Sequence, residues 1–139
     1  MHKHTLSGKT ILIVEDDYFI AEDLVKNLET FGARVAGPAP TISAAAEFLR
    51  EASPTAAILD VKLSDGHSLS IAENLTATGI PFIFYSGYDE ELYLENHQNI
   101  RWILKPSSIS NVLRELETAI RNAASQMDSY FPYHENRAG

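Results

Sequence analysis

Ala56-Ala57-Ile58-Leu59-Asp60-Val61-Lys62-Leu63-Ser64-Asp65-Gly66 carries the strongest structural signal in the chain. An apolar run ends on an acid, and a polar turn with a glycine follows at once. A run of this kind, bounded by turn signals, is the pattern of a strand buried on both faces in a parallel sheet. Asp60 then stands at the carboxyl end of the strand, where open α/β sheets place their ligands. The reading makes Asp60 the reactive group, and the rest of the chain supplies its neighbours.

Upstream, Thr10-Ile11-Leu12-Ile13-Val14 is a second continuous apolar run, followed directly by Glu15-Asp16-Asp17. It reads as a central parallel strand with three acids at its carboxyl end. The acids also suit a helix start, and the two readings are compatible. Apolar positions from Tyr18 to Phe31 recur with helical spacing, and Gly32 is a natural stop. Val35-Ala36-Gly37 makes a short strand that Pro38 and Pro40 end. Thr41 caps a second helix through Leu49. Beyond the Asp60 strand, 68–78 reads as a third helix and 81–85 as a fourth strand. A thin fourth helix spans 90–96, and 100–104 is a fifth strand ended by Lys105-Pro106. Ser108 caps a last helix with a stripe at Ile109, Val112, Leu113, Leu116 and Ile120.

Five alternating β-α units predict a doubly wound, five-stranded parallel sheet of the flavodoxin-like kind, order 2-1-3-4-5, with helices on both faces. The domain organisation is a tail over 1–9, one folded domain over 10–124 and a second tail over 125–139. The second tail loses periodicity and is read as either disordered or packed on a partner. The 139 residues suffice for one domain with a real core. The formal net charge of −8 argues against binding DNA or an anionic membrane surface. There is no cysteine, so neither a disulfide nor a thiolate metal site is open to it. No apolar stretch approaches a membrane span and no signal peptide opens the chain, so the cytoplasm is the expected location.

In a parallel sheet every strand's carboxyl end lies on one edge. That edge gathers Glu15, Asp16, Asp17, Asp60, Ser86 and Lys105. Clustered carboxylates repel one another and favour a hard divalent cation such as Mg²⁺. An aspartate is a competent phosphoryl acceptor, and phosphoryl transfer needs positioning and charge neutralisation above all. Lys105 offsets phosphoryl charge from a second side, and the Ser86 hydroxyl hydrogen-bonds an oxygen of the product.

With Ile11-Leu12-Ile13-Val14-Glu15-Asp16-Asp17, Leu59-Asp60, Ser86-Gly87 and Lys105-Pro106 in that order, the chain resembles the receiver domain of two-component response regulators. The resemblance covers roughly 10–122. Phe84-Tyr85-Ser86-Gly87-Tyr88 is similar to the Phe-Ala-Thr-Gly-Tyr signature of a receiver subgroup common in α-proteobacteria. The resemblance implies a stand-alone regulator that accepts a phosphoryl group on Asp60 from a histidine kinase or histidine phosphotransfer protein. It implies Mg²⁺ held by Asp16, Asp60 and the Lys62 main-chain carbonyl, with Glu15 acting through a water. Ser86 is then the switch hydroxyl, Trp102 the switch aromatic and Lys105 the phosphate-contacting lysine. The Lys105–Pro106 peptide is expected to be cis. Such a protein catalyses its own phosphorylation and slow dephosphorylation, with no turnover on a separate substrate. It signals through a downstream protein target, and a homodimer through the last helix and aromatic tail is left open.

Three rival readings stand beside this one. A haloacid-dehalogenase-type phosphatase needs an acid two residues after its nucleophile, where this chain has Lys62. A flavodoxin-like nucleotide binder needs a phosphate-cradling loop after the first strand, where this chain has acids. A phosphate-independent receiver-like interaction module is the alternative that the complete set of acids, hydroxyl and lysine speaks against.

Overall fold

The computed structural model describes residues 4–87 and 101–130, the last five as helix backbone only. The thin helix expected over 90–96 and the side chain of Tyr88 lie outside the described residues. The elements are β1 (Thr10–Val14), α1 (Tyr18–Thr30), β2 (Arg34–Ala39), α2 (Ile42–Glu51), β3 (Ala56–Leu59), β4 (Lys62–Leu63), β5 (Gly66–His67), α3 (Leu69–Ala77), β6 (Phe82–Ser86), β7 (Arg101–Leu104) and α4 (Ile109–Tyr130). Five strands form one parallel sheet in the order β2-β1-β3-β6-β7. Counting only those five, this is the 2-1-3-4-5 order. Lys62–Leu63 and Gly66–His67 make a separate antiparallel hairpin, which the periodicity did not signal because each of its strands has only two residues.

The continuous apolar runs work because a strand sends alternate side chains to opposite faces. Ile11, Ile13, Ala56, Ile58, Ile83, Tyr85 and Ile103 pack with Leu24 and Leu28 of α1 and with Val112, Leu113 and Leu116 of α4. Leu12, Val14, Ala57, Leu59 and Phe84 pack on the other face with Ala45 of α2 and with Ile71, Ala72 and Leu75 of α3. Each fully buried Leu, Ile or Phe contributes about 1.5–3 kcal/mol relative to exposure. Among the described residues no helix is long and apolar enough to cross a membrane.

Three local expectations differ from the structure. The N-terminal segment is not a loose tail throughout: Leu6 is fully buried in the α1–α4 core, and its N–H donates to the Phe31 carbonyl. The last helix runs to Tyr130, past the expected boundary at 124, because Ala123 and Ala124 sustain a helix without an apolar stripe. Pro38 does not end the second strand; β2 runs through it to Ala39 and stops directly before Pro40. It is an edge strand, paired only with β1, where a residue lacking an N–H is tolerated.

The irregularity falls at Gly37–Pro38, a cis peptide, where the register slips from Leu12↔Ala36 to Val14↔Ala39. Gly37 has φ of +101°, and a Cβ there would lie 2.7 Å from the Ala39 nitrogen and 2.9 Å from the Ile13 carbonyl oxygen. Both clashes are with backbone of the paired strands, so no rotamer relieves them. Gly37→Ala is expected to destabilise the fold by about 1–3 kcal/mol. A urea midpoint equal to that of the wild type would contradict this account of the edge.

Candidate functional site

β1, β3 and β7 each extend their ladders by one bond past their ends. The Glu15 N–H donates to the Ala39 carbonyl at 3.0 Å, the Asp60 N–H to Val14 at 2.8 Å and the Lys105 N–H to Ser86 at 3.0 Å. These bonds fix the depth at which each side chain leaves the sheet. Lys105 lies just past β7, two strands away from β3, and precedes a cis peptide to Pro106, as expected. Its ammonium passes 5.5 Å from the centre of the Tyr85 ring, within reach of a cation–π attraction. It ends 2.6 Å from Glu15 Oε1 and 3.1 Å from Asp60 Oδ2.

Three consecutive acids follow β1, and the structure gives them three environments. The Glu15 side chain is only 3% exposed, and its Oε2 accepts from the Asp17 N–H. Asp16 is exposed and its carboxylate joins Glu15 and Asp60, with one oxygen from each lying within 4.8 Å of the others. Asp17 turns away to cap α1, accepting from the N–H groups of Phe19 and Ile20. This local cap uses the acid that the neighbouring strand does not trap.

Asp60 is held from both sides. The Val61 N–H donates to Oδ1 at 2.8 Å while Lys105 faces Oδ2. The Ser68 hydroxyl donates to the Asp60 carbonyl at 2.6 Å, and Ser68 is fully buried. Sequence reasoning missed Ser68 in this role, since a serine before an apolar stripe reads as a helix cap. It stands at the cap position of α3, but its side chain makes no cap bond. Ser86 closes β6 opposite Leu104, with its side chain buried at the same edge. Trp102 sits two residues lower, opposite Phe84, and the two rings lie 4.8 Å apart at 32°. Lys62 opens β4 two residues after Asp60 and is exposed.

Burial pushes the Glu15 carboxyl up to about 7; hydrogen bonds from Lys105 and Asp17 pull the other way, and the charge of Asp60 adds to the rise. Burial by itself lowers the Lys105 ammonium, but its hydrogen bond to Glu15 and the charges of Glu15 and Asp60 outweigh that and raise it. The lysine therefore keeps its proton, and Glu15 is the group that titrates near neutrality. The donor set is all oxygen, with neither thiolate nor imidazole, which suits Mg²⁺. Fully ionised, three carboxylates beside one ammonium leave two negative charges, which one divalent ion neutralises. Glu15, Asp16 and Asp60 fit the cation that the sequence implied.

No family model matches the sequence. The chain is 34% identical over 114 residues to the phyllosphere-induced regulator PhyR of Methylorubrum extorquens, an alignment covering 79% of this chain and 43% of that protein. It is 31% identical to the structure of the non-phosphorylated HemR receiver domain from Leptospira biflexa, with a TM-score of 0.70 over 81% of this chain and 94% of that one. The response regulator PhyR of Brucella abortus superposes with a TM-score of 0.81 at 23% identity, over 95% of this chain and 56% of that one, which speaks to the fold alone. The chain spans about half the length of the sequence relatives it matches.

The Glu15 shift has a testable sign. The folded state binds this proton more tightly than the unfolded chain does. The stability it contributes is full below pH 4.5 and is lost as pH rises through about 7. Relative to Glu15→Gln, the wild type is expected to lose stability steadily across that window. Denaturation midpoints of the two proteins that run parallel from pH 4.5 to pH 8 would rule this out.

Proposed function

The chain belongs to the receiver-domain family of two-component response regulators, and on that premise we propose that it accepts a phosphoryl group on Asp60 from a histidine kinase or a histidine phosphotransfer protein. The observation that carries the reading is the convergence of Asp60, Lys105, Glu15 and Asp16 at one sheet edge, with Ser86 buried beside them. The Asp60 carboxylate, oriented by the Val61 N–H, forms a bond to phosphorus as the phosphorus–nitrogen bond of the donor breaks. The donor imidazole leaves with that electron pair and takes up a proton from solvent. Asp16, Asp60 and the Lys62 carbonyl, with Glu15 behind them, would hold Mg²⁺, which would supply positive charge to neutralise the phosphoryl oxygens. Lys105 gives up its bond to Asp60 and turns its ammonium to the phosphoryl group, a short movement on a flexible stem. The same edge later admits water for slow self-dephosphorylation.

The Ser86 hydroxyl hydrogen-bonds a phosphoryl oxygen, and Trp102, stacked on Phe84 below it, transmits the change to the surface. Such a shift requires only a few kcal/mol of differential contact. Tyr18 and Phe19 flank the acids, 70% and 79% exposed, with their rings edge to face 5.5 Å apart. Two large exposed aromatics directly after the acids in the chain support a protein partner at this edge. The formal charge of −8 supports output by protein contact over DNA binding. The reading carries with it one receiver domain that takes in Leu6 and the whole of α4, a downstream protein target and a cytoplasmic site of action.

Incubation with acetyl phosphate or phosphoramidate, followed by intact-mass measurement, tests the reading. The wild type is expected to gain the mass of one phosphoryl group only when Mg²⁺ is present, and Asp60→Asn is expected to gain none. A folded wild type that gains nothing would turn the assignment to a phosphate-independent interaction module.

A further inference from the structure

The acceptor loop is tied down at a point outside the cluster of acids. Asp65 forms the corner of the β4–β5 hairpin, five residues beyond Asp60. Its Oδ1 accepts from the Ile42 N–H at 2.8 Å and its Oδ2 from the Ser43 N–H at 3.2 Å. These are the first two amides of α2, which no intrahelical carbonyl can satisfy. The helix already has a local cap: Thr41 accepts from the Ala44 N–H with its side chain and from the Ala45 N–H with its carbonyl. The Asp65 carboxylate and both of its bonds are exposed. Water could serve the two amides nearly as well, so the helix gains little from Asp65. The hairpin gains much more.

That hairpin has only two ladder pairs, Lys62↔His67 and Leu63↔Gly66, and it does not join the main sheet. A ribbon so short does not hold its shape alone. Its base is fixed by the bonds from the Ser68 N–H to the Val61 carbonyl and from the Ser68 hydroxyl to the Asp60 carbonyl, and by burial of Leu63. Its corner is fixed by the carboxylate of Asp65, while Gly66 leaves room for Ile42, whose Cδ1 would stand 3.3 Å from an added Cβ. The segment so clamped carries the Val61 N–H that orients Asp60 and the Lys62 carbonyl proposed for the cation.

We infer that Asp65 is a positioning residue of the acceptor site: by clamping the hairpin corner to the start of α2 it holds segment 61–67 in the form that binds the cation and presents Asp60. The inference rests on the proposed phosphoryl-acceptor function. It concerns a residue that touches neither the metal cluster nor the phosphoryl group. Asp65→Ala removes both bonds. Asp65→Asn keeps one acceptor oxygen for the Ile42 N–H.

The test compares the full chain with Asp65→Ala, Asp65→Asn and Thr41→Ala, the last of which breaks the local cap of the same helix and leaves the hairpin alone. Calorimetric titration with Mg²⁺, hydrogen exchange of peptides covering 61–68, and phosphorylation by acetyl phosphate are read on each. Asp65→Ala is expected to weaken Mg²⁺ and slow phosphorylation by roughly 10-fold, the usual loss when a supporting partner of a metal site is removed. Exchange in 61–68 is expected to rise with it, and Asp65→Asn is expected to recover part of all three. Thr41→Ala is expected to lower Tm and leave Mg²⁺ affinity unchanged. Mg²⁺ affinity in Asp65→Ala equal to that of the wild type overturns the inference, as does an equal loss in Thr41→Ala. A wild type that neither binds Mg²⁺ nor takes up a phosphoryl group overturns the functional reading, and the inference falls with it.

Discussion

One ammonium group sets the terms for the rest of the site. A parallel sheet brings the carboxyl ends of its strands to one edge, and here that edge brings two partly or fully buried carboxylates, Glu15 and Asp60, toward each other. Like charges at that separation resist burial. Lys105 reaches across the end of β6 and bonds to both. Its ammonium lies over the Tyr85 ring, and the bonds and charges of Glu15 and Asp60 keep it protonated. The arrangement satisfies its charges only in part, since burial still lifts Glu15 toward neutrality. A site in that condition is prepared for a further positive charge.

The backbone does as much as the charges. Each of the residues Glu15, Asp60 and Lys105 has its own N–H bonded to the neighbouring strand. Their positions are therefore inherited from the sheet, whose two faces are filled by alternating side chains from every central strand. A rigid sheet edge is a better support for reacting groups than a loop, because its register cannot slip without turning the core inside out. The loop after Asp60 lacks that support, and the structure compensates with the Ser68 bond to the Asp60 carbonyl and the Asp65 bonds to α2.

Stiff and yielding parts are thus divided by chain position. Below the edge, the sheet faces are packed by two hydrophobic clusters, and the hydroxyl of Tyr85 within the first is paired with the Ser107 backbone. At the edge stand a flexible lysine, an exposed Asp16 and a buried hydroxyl at Ser86. The chemistry proposed at Asp60 would change the charge balance where side chains can move without disturbing the sheet. Trp102, stacked on Phe84 at the rim of the core, lies on the border between these two regions.

The strands, the helical stripes, their alternation and the polar groups at four of the five strand ends were legible in the chain before folding. These follow from periodicity and composition, which are local and survive without knowledge of what faces what. The same local information placed the caps at Thr41 and Ser108, where the bonded groups are three residues apart. What lay beyond it were the pairings made over distance. Glu15, Asp16 and Asp17 are chemically near-identical neighbours, and only the third dimension made one a buried partner of Lys105, one an exposed member of the acid cluster and one a helix cap. Pro38 reads as a strand end until β2 is known to be an edge, where its missing N–H costs no ladder bond. Ser68 and Asp65 read as ordinary helix-start and turn residues until the chain brings the Asp60 carbonyl and the first amides of α2 within their reach. The physical reason is the same in each case: a hydrogen bond or ion pair depends on which groups the register brings together, and register is a property of the packed sheet, not of any segment within it.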